Sequence, residues 1–238
     1  MNHSVAASHL PVLDWDTIAD RLDRDGYAVV SGLLDAETYR RLASLYADAH
    51  RFRSRVVMAR HGCGRGEYQY FDNPLPPPDC ALRTALYPPL CQTALRWNDM
   101  LSIDDQYPEI HAAYLAQCHA AGQSKPTPLL LKYKADDYNC LHQDLYGELV
   151  FPLQAAILLS RPGADFTGGE FVMTEQRPRM QSRAMVVPLQ QGDAVIFPVR
   201  QRPVQGFKRR NRVNMRHGFS RVLSGQRFTL GLIFHDAQ

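Results

Sequence analysis

The spacing of hydrophobic and polar positions changes about halfway along the chain. Before that point it mostly follows the repeat of a helix. Residues 17–25 carry Ile18 and Leu22 four positions apart, and they are followed by Gly26, a residue type that suits the end of a helix. The stretch YAVVSGLL that comes next is typical of a short strand.

A second helix is predicted to begin after Asp35, because aspartate is a favoured residue at helix N-termini, and to run to about His50. Its buried stripe is predicted to consist of Tyr39, Leu42, Leu45 and Tyr46. Two further helices are predicted at about residues 90–101 and 108–121. Pro108 would open the last of them at its first position, where a proline is well tolerated.

Residues 51–89 follow neither a helical nor a strand repeat. Within them, RHGCGRGEYQYFDNPLPPPDC places three glycines on alternate positions, then aromatic residues, then prolines. A GxGxG run without a clear strand before it and a helix after it is weak evidence for a phosphate-binding loop. We therefore interpret the segment as a mobile loop over a pocket, with a possible role in holding a substrate.

From residue 128 onward, short apolar stretches alternate with glycine, proline and aspartate. These stretches are LLLKYKA, FPLQAAILLS, GGEFVMTEQ, MVVPL, GDAVIFPV, FSRVL and RFTLGLIFH. Regularly spaced short strands of this kind predict a β-sandwich or barrel rather than an alternating βαβ sheet. The predicted class is α+β in a single domain of residues 1–238, with an extension of helices and strands over 1–127 and a β core over 128–238.

The composition is that of an ordinary globular domain, with 238 residues of which 45% are hydrophobic and 21% charged. The five cysteines form no CxxC pair, which argues against a disulfide framework and against a zinc ribbon. No apolar run approaches the roughly 20 residues that a membrane helix needs, and the first residues lack the features of a signal peptide. A cytoplasmic location without a membrane partner is therefore expected.

The net charge of +3 hides an uneven distribution. Residues 176–235 contain twelve arginines or lysines and a single acidic residue, Asp193. Such an excess of positive charge favours an acidic partner such as nucleic acid, which would contact the basic region 200–217. The alternative is that this region is simply a solvated basic face.

The candidate chemistry begins in the stretch YKADDYNCLHQDLYG. His142 and Asp144 are two residues apart, so on a strand both side chains would point to the same side and could bind one metal ion. A third ligand would have to come from a remote strand, and the histidines that remain downstream are His217 and His235. Two histidines and one carboxylate form the ligand set of non-haem Fe(II) oxygenases. An ordinary hydrogen-bonded His–Asp pair is the alternative.

The last predicted strand, RFTLGLIF, has two different faces. One face is apolar, whereas the other carries Arg227, Thr229 and Gly231, which offer a guanidinium group, a hydroxyl and empty space. Such a face would suit a dicarboxylate ligand. Tyr133 could donate a hydrogen bond into the same cavity. The alternatives are that Arg227 points into solvent and that Tyr133 is an ordinary core residue.

Several motifs in this order resemble the 2-oxoglutarate- and Fe(II)-dependent oxygenases. Tyr133 followed by LHQD resembles the AlkB-type nucleic-acid demethylases, while FTGGEF, GDAVIF and HGFSRVLSGQRFTLGLIF resemble the prolyl 4-hydroxylase branch. The stretches HQDLYGELVFPLQ, GGEFVMTEQRPRMQSR and RHGFSRVLSGQR resemble a bacterial family predicted to carry out oxidative demethylation of damaged DNA. The likeness covers residues 128–237.

The resemblance implies a double-stranded β-helix, or jelly roll, with the N-terminal helices packed on one sheet. It implies Fe(II), 2-oxoglutarate and dioxygen as cofactors, with ascorbate as a possible reductant. The implied iron ligands, which also form the catalytic centre, are His142, Asp144 and His217. The residues that the resemblance and the strand pattern direct toward 2-oxoglutarate are Arg227, Tyr133, Thr229 and Gln154.

The reaction implied is hydroxylation of a C–H bond, which on an N-methyl group ends in loss of formaldehyde. The expected substrate-binding residues are Tyr68, Tyr70, Phe71, Tyr146, Arg209 and Arg210. One departure from the AlkB pattern is Tyr146, because an acidic residue is expected two positions after the metal-binding aspartate. Hydroxylation of a protein side chain or of a small metabolite is therefore an alternative, and a β-barrel binding module without enzymatic activity is another.

Overall fold

A computed structural model describes residues 11–206 and 210–238 of the chain. The helices of these residues are α1 (Trp15–Asp25), α2 (Ala36–Ser44), α3 (Pro77–Leu101) and α4 (His111–Ala120). The first strands are β1 (Ala28–Val30), β2 (Phe52–Val57), β3 (Gly64–Arg65), β4 (Glu67–Phe71), β5 (Leu129–Lys134), β6 (Tyr138–His142) and β7 (Leu153–Leu158). The later strands are β8 (Phe166–Gly168), β9 (Phe171–Gln176), β10 (Arg183–Val187), β11 (Ala194–Pro198), β12 (Gln201–Gln205), β13 (Arg210–Phe219) and β14 (Val222–Ile233).

The strands form two sheets. The larger sheet has the order β1-β11-β7-β14-β5-β4-β2, with β8 also paired to β14. The smaller sheet has the order β10-β9-β13-β6-β3, with β12 also paired to β13. Neighbouring strands in both sheets run antiparallel. Strands adjacent in a sheet are often remote in sequence, so residues far apart along the chain are brought side by side.

The inner faces of the two sheets pack against each other. The larger sheet contributes Leu131, Tyr133, Ala156, Val195 and Phe197, and the smaller sheet contributes Phe171, Met173, Val213, Met215 and Phe219. Successive side chains of a strand point to opposite faces, so every second residue of these strands enters this core. Polar side chains that share the inner face are therefore enclosed between the sheets.

The helices cover the outer face of the larger sheet. Leu22, Leu42, Leu86 and Leu90 of the helices pack in one cluster with Leu130, Ile157, Ile196 and Leu230 of the strands. Burying a leucine side chain fully contributes about 1.5–3 kcal/mol, so this second core fixes the larger sheet firmly against the helices. The molecule thus has three layers, as expected of helices packed on one sheet.

The first two helices lie where the sequence predicts them, with one difference in length. Gly26 ends α1 in the left-handed conformation, with φ at 80°, and the side chain of Asp35 caps α2 by accepting from the Thr38 N–H. The prediction that α2 runs to about His50 is wrong, because the chain leaves the α-helix after Ser44 and continues in 3₁₀ turns. Of the predicted stripe only Leu42 is fully buried.

Residues 51–89 are not an irregular loop, so the interpretation of this segment as a loop is wrong. Strands β2 and β4 pair with each other, β4 pairs with β5, and α3 begins at Pro77. Two of the alternate glycines allow close packing: a Cβ at Gly66 would lie 2.7 Å from the Tyr133 ring, and one at Gly64 would lie 2.4 Å from the Tyr138 carbonyl oxygen. This packing, rather than phosphate binding, accounts for these two glycines.

Helix α3 continues through Pro88 and Pro89, whereas the sequence predicts a helix that begins only at about residue 90. Each proline lacks an N–H group and therefore leaves the carbonyl four residues earlier without its helical partner. These carbonyls belong to Thr84 and Ala85, which are exposed to water. Helix α4 begins at His111, so Pro108 does not open it.

None of the helices in the described parts of the chain combines the length and the apolar character of a membrane-spanning helix.

The described parts of the basic region contain two paired strands that the strand prediction does not include. Strands β12 and β13 pair from Gln201↔Asn214 to Gln205↔Arg210. The stretch FSRVL, predicted to be a strand, instead contains the end of β13, the connection at Ser220 and Arg221, and the start of β14. The inward-facing residues of β13 alternate with arginine and asparagine. The strand therefore begins well before His217, at Arg210.

Candidate metal centre

Two neighbouring strands of the smaller sheet bring His142 and His217 together. His142 is the last residue of β6, His217 belongs to β13, and the two residues are directly paired across the strands. Asp144 lies two residues beyond the end of β6, so the prediction that both residues of the HxD motif lie on a strand holds for His142 alone. The chain nevertheless turns Asp144 back toward both histidines.

The three side chains form one compact cluster. His142 Nε2 lies 3.4 Å from Asp144 Oδ1, and His217 Nε2 lies 3.3 Å from Asp144 Oδ2. One candidate ligand atom from each of the three residues falls within 4.8 Å of the other two. Such convergence of two imidazoles and a carboxylate is the arrangement expected of a facial metal-binding triad.

Hydrogen bonds orient the first imidazole of this cluster. The Nδ1–H of His142 donates to the Cys140 carbonyl at 2.8 Å, since a carbonyl oxygen can only accept. When the ring of His142 is neutral, its lone pair therefore lies on Nε2, the nitrogen nearest Asp144. A backbone partner for one ring nitrogen is the usual way in which proteins aim the other nitrogen at a metal ion.

Burial and mutual contact shift the pKa values within the cluster in different directions. Burial opposes ionisation of Asp144, but hydrogen bonds with His142 and His217 hold its pKa well below the ordinary value. Burial also opposes protonation of His142, yet its contacts with Asp144 raise its pKa. The pKa of His217 is lowered by burial and by the neighbouring His142. The carboxylate is thus ionised and ready to bind a cation.

The cluster opens into a cavity of about 210 Å³ between the sheets. Besides the three cluster residues, the cavity is lined by the polar side chains of Asn139, Gln143, Tyr146 and Gln154 and by apolar groups that include Met58, Phe171 and Phe219. Much of the remaining wall is apolar. A cavity of this kind can hold a small organic group against the metal-binding side chains while excluding water.

Arg227 lies at a second cavity, of about 350 Å³, rather than in the wall of the first. Phe171 lines both cavities, and Phe219 of the first cavity packs under the guanidinium, whose central carbon lies 3.9 Å from the ring centroid. Arg227 is 1% exposed, donates to the Thr229 hydroxyl, and forms no ion pair within the described residues. Burial lowers its pKa to about 10, so it remains charged at neutral pH.

Tyr133 and Thr229 lie on the same inner face as Arg227. Tyr133 pairs directly with Arg227 across β5 and β14, and its ring centroid lies 5.4 Å from that of Phe219. Its hydroxyl is buried and has no hydrogen-bond partner among the described residues. Arg227, Thr229 and Tyr133 therefore form a second polar group of side chains between the sheets.

Gly231 does not provide empty space, which corrects one detail of the strand prediction. It lies in the wall of the first cavity, but a Cβ at this position would lie 2.6 Å from Cδ2 of Leu129. The absence of a side chain is used to accommodate Leu129. The two-faced character of β14 is otherwise confirmed, because Phe228, Leu230, Leu232 and Phe234 pack toward the helices.

Gln154 lies beside the metal-binding cluster. It is 2% exposed, and its amide nitrogen is 3.4 Å from His217 Nε2. Gln154 lines the first cavity but not the second, which contains Arg227. Its inward direction agrees with the sequence prediction, and its nearest polar neighbour is an imidazole of the triad.

The predicted substrate residues separate into those at the cavity and those away from it. Tyr68 lines the cavity, and Tyr70 packs behind it with a ring-centroid distance of 5.4 Å. The prediction for Phe71 is wrong: it faces the opposite side of β4, is 0% exposed and stacks on Phe52 in the core beneath the helices. Alternation along β4 makes it impossible for Phe71 to face the cavity together with Tyr70.

Of the two predicted basic residues, Arg210 is exposed at the first position of β13, and Arg209 lies outside the described residues. Arg210 does not line the cavity. The fourth aromatic residue, Tyr146, is at the cavity, and its hydroxyl donates to Asp144 Oδ1 at 2.7 Å.

His235, the other downstream histidine, does not join the cluster. It is fully buried, its Nδ1 accepts the Phe151 N–H at 3.2 Å, and burial lowers its pKa to about 4. His217 is therefore the downstream histidine that the fold brings to the HxD motif.

The donor set fits a divalent iron ion and a dicarboxylate. The triad offers two imidazoles and an ionised carboxylate, and it leaves one side of the cluster facing the cavity. Arg227 is a buried cation without an ion-pair partner among the described residues, and the Tyr133 hydroxyl is a buried donor that also lacks a partner. Buried charges and donors are normally paired, so both side chains are suited to an anionic ligand.

Sequence reasoning misses several cavity residues. Met58 and Cys63 line the cavity because the hairpin of β2 and β4 folds over it, and neither residue carries a local signal for that position. Asn139 also lines the cavity, although it is three residues from His142 on the same strand. The pairing of β6 with β13 shifts its register between His217 and Phe219, so simple alternation cannot place Asn139.

Comparison with known proteins gives a family match and a fold match. A family model described as an oxygenase catalysing oxidative methylation of damaged DNA matches residues 66–237. Two Mycobacterium tuberculosis proteins, from strains CDC 1551 / Oshkosh and ATCC 25618 / H37Rv and both named as uncharacterized, are 51% identical over 156 residues. The aligned part covers 66% of this chain and 67% of each relative.

Among solved structures, a Pseudomonas putida prolyl-4-hydroxylase superposes with a TM-score of 0.52 at 16% identity, covering 91% of this chain and 96% of that chain. A Burkholderia pseudomallei oxidoreductase of the 2OG-Fe(II) oxygenase family gives a TM-score of 0.52 at 15% identity, covering 96% and 95%. At such identities the likeness concerns the fold.

Proposed function

The chain belongs to the oxygenase family whose model spans residues 66–237, and from that premise we propose that it is an iron(II)- and 2-oxoglutarate-dependent dioxygenase that demethylates alkylated nucleic acid. The observation that carries the proposal is the convergence of His142, Asp144 and His217 within 4.8 Å at the end of an apolar cavity. The family description speaks of oxidative methylation. Since an oxygenase acts on a methyl group by oxidising it, we take the reaction to be removal of the methyl group.

The fold that accompanies this function is a double-stranded β-helix. Two facing antiparallel sheets, with strands remote in sequence as neighbours, support this assignment. So does the superposition on the Burkholderia pseudomallei oxidoreductase of the 2OG-Fe(II) oxygenase family. In such a fold the two sheets act as a rigid support, which keeps side chains from separate strands in fixed relative positions.

His142, Asp144 and His217 would hold the iron. The hydrogen bond from His142 Nδ1–H to the Cys140 carbonyl keeps Nε2 free for the metal, and the lowered pKa of Asp144 keeps the carboxylate ionised. Three protein ligands leave the remaining coordination positions for the cosubstrate and for dioxygen.

Arg227 would bind the distal carboxylate of 2-oxoglutarate, with Thr229 and Tyr133 as hydrogen-bond donors. A guanidinium can make two parallel hydrogen bonds to a carboxylate, and these are strongest where water is excluded. Arg227 is held among the rings of Phe166, Phe219 and Tyr133, which exclude water around it. Gln154, beside His217, would contact the end of the cosubstrate nearest the iron.

When bound, iron, 2-oxoglutarate and dioxygen supply the oxidising power that hydroxylates a C–H bond, and 2-oxoglutarate leaves as succinate and carbon dioxide. The protein orients the cosubstrate between two groups of polar side chains and excludes water by the apolar wall that includes Met58, Phe171 and Phe219. On an N-methyl group the hydroxymethyl product breaks down to formaldehyde and the demethylated base. Ascorbate would serve as a reductant that keeps the iron in its active state.

Nucleic acid is the proposed substrate because of the face that β13 presents to solvent. Val213, Met215 and His217 point inward, so Arg210, Arg212 and Arg216 share the exposed outer face. A strand rises about 3.4 Å per residue, and this row of arginines therefore extends for about 20 Å and ends beside the triad histidine. None of the three arginines pairs with a carboxylate among the residues that the structure describes.

These arginines, within the basic region 200–217, would bind phosphate groups. Such contacts bring a nucleic acid to the surface whatever its sequence. Gln143 keeps the turn that carries Asp144 close to this row, because its side chain donates to the Met215 carbonyl at 2.8 Å. A flipped base would enter the cavity past Tyr68, whose ring offers a stacking surface.

The decisive experiment uses the purified protein loaded with Fe(II) and 2-oxoglutarate. We expect formaldehyde and succinate in equal amounts when an oligonucleotide with N-methylated bases is added, and neither above background with the unmethylated oligonucleotide. Turnover of 2-oxoglutarate without any formaldehyde, together with a 16-dalton mass gain on a protein or metabolite, would refute nucleic acid as the substrate. The enzyme would then be a hydroxylase of that protein or metabolite. A protein that binds no metal would refute the enzymatic function altogether.

A further inference from the structure

We propose that Tyr146 is a positioning residue of the metal centre, which holds the carboxylate of Asp144 in the orientation that binds the ion. This inference rests on the proposed function, because it concerns the ion that the triad would hold. It gives Tyr146 a role different from contact with substrate.

The contact itself is direct. The Tyr146 hydroxyl donates to Asp144 Oδ1 at 2.7 Å, and Asp144 is 8% exposed. A carboxylate near two imidazoles can turn about its terminal torsion and present either oxygen or both to a cation. A donor fixed on Oδ1 restricts that rotation and leaves Oδ2, which faces His217 at 3.3 Å, as the oxygen available to the ion.

The tyrosine ring is itself held from two sides. Its centroid lies 6.2 Å from that of Tyr70 in an edge-on arrangement, and 6.4 Å from the ring of His235. Tyr70 is 8% exposed and His235 is fully buried, so both neighbours belong to the interior. The ring cannot swing outward without opening a gap beside them.

The backbone around Tyr146 is fixed by one buried amide, that of Gln123. Its Nε2 donates to the Leu149 carbonyl at 3.0 Å and to the Asp236 carbonyl at 2.7 Å, and its Oε1 accepts the Leu149 N–H at 2.8 Å. Gly147 makes this possible: its φ is 124°, and a Cβ there would lie 2.4 Å from the Gln123 side chain. The turn that carries Tyr146 is thus tied to the last residues of the chain.

The test compares Tyr146→Phe with wild type in titrations of the metal-free protein with Mn(II), without cosubstrate or oligonucleotide. Phenylalanine keeps the ring but removes the hydrogen bond to Asp144. Loss of such an outer partner typically weakens metal affinity 10- to 100-fold, so we expect Mn(II) binding about 10-fold weaker or more. Tyr138→Phe is the matched control, because Tyr138 is 38% exposed on β6 and does not line the cavity.

A second variant tests the same inference without touching the hydroxyl. Gly147→Ala displaces Gln123 and with it the backbone of Tyr146, and it should also weaken Mn(II) binding. Thermal unfolding of each metal-free variant verifies that it is folded before the titration.

The outcomes separate this inference from the proposed function. Wild-type affinity for Mn(II) in folded Tyr146→Phe would overturn the positioning role. If that variant instead showed a raised KM for the methylated oligonucleotide, Tyr146 would be a residue that contacts the substrate. Failure of the wild-type protein to bind one Mn(II) per chain would instead refute the metal site itself.

Discussion

Arg227 and Tyr133 lie directly opposite each other on adjacent strands, both buried between the sheets, and each carries a polar atom without a hydrogen-bond partner among the described residues. A buried guanidinium without a counter-ion destabilises a folded protein unless a ligand compensates for it. The pair therefore supports the proposed anion-binding site, of which it would form one end.

Replacing Arg227 by methionine should weaken the binding of 2-oxoglutarate but stabilise the metal-free protein. We expect 2-oxoglutarate to bind the Mn(II)-loaded variant roughly 10- to 100-fold more weakly, because a hydrogen bond to a charged group contributes about 1.5–3 kcal/mol. The metal-free variant should unfold at a higher temperature than wild type, because the uncompensated charge is gone. Calorimetric titration and thermal unfolding measure the two effects. Arg221→Met is the control, since Arg221 is exposed and lies 3.5 Å from Asp136. Unchanged affinity for 2-oxoglutarate in Arg227→Met would refute the role of Arg227 in binding it.

Each residue of the triad should be necessary for metal binding. His142→Ala, Asp144→Ala and His217→Ala are each expected to lose the single Mn(II) site seen by paramagnetic resonance, and to stop consumption of 2-oxoglutarate when Fe(II) is supplied. His61→Ala, which removes an exposed histidine outside the cluster, should bind as wild type does. Retention of the ion by two of the three variants would mean that the metal binds elsewhere.

The exposed arginines of β13 should control affinity for nucleic acid rather than the chemistry. In the triple variant Arg210→Gln, Arg212→Gln, Arg216→Gln we expect the negative slope of log affinity against log salt to become shallower by about two, since each phosphate contact contributes about 0.7–0.9 to its steepness. Turnover of 2-oxoglutarate without substrate should not change. Three exposed arginines of α1 and α2 provide the control, as Arg21→Gln, Arg40→Gln, Arg41→Gln. Equal salt slopes in the two triple variants would show that the arginines of β13 do not bind phosphate groups and form only a solvated basic face.

Asp79 gives the protein a stability that depends on pH. Both carboxylate oxygens are buried without a hydrogen-bond partner among the described residues, and burial raises the pKa of Asp79 from 3.8 to about 8. As the pH rises from about 4 to 8, the unfolded chain releases this proton while the folded protein keeps it, so the group progressively lowers stability and its effect is constant above pH 8.

Asp79→Asn should therefore raise the free energy of unfolding relative to wild type. The gain should grow between pH 4 and 8, by at most about 1.4 kcal/mol for each pH unit in that interval. Urea unfolding across this pH range measures the difference. The same experiment on Asp16→Asn, which changes an exposed residue in the first turn of α1, provides the control. A gain from Asp79→Asn that is independent of pH would show that its carboxyl group titrates normally.

Much of the centre could be predicted because its residues follow local patterns. The resemblance to the oxygenase superfamily, confirmed by the family match, rests on short motifs around His142 and His217. The two faces of β14 follow from strict alternation, which is enough to place Arg227 and Thr229 on the inner side. Alternation is reliable here because both faces are buried and a shift of one residue would exchange them.

Sequence patterns fail where tertiary contacts override local signals. Pro88 and Pro89 favour a helix that starts at about residue 90, but α3 continues through both prolines. The residues whose carbonyls lose their helical partner, Thr84 and Ala85, are exposed to water. The pairing of β12 with β13 is hard to predict because the outer face of β13 is rich in arginine, although the alternation of Val213 and Met215 is visible in the sequence. The contact of Tyr146 with Asp144 depends on a turn outside any regular element, and no spacing rule predicts it.

Phe171 has a consequence for engineering the enzyme. Its ring stacks near that of His217, with centroids 6.0 Å apart, and it forms part of the wall of both cavities. Shortening this one side chain would enlarge both spaces at the wall that they share. Such a variant offers a starting point for an enzyme that accepts a bulkier, artificial 2-oxo acid and can be switched on selectively by adding that compound.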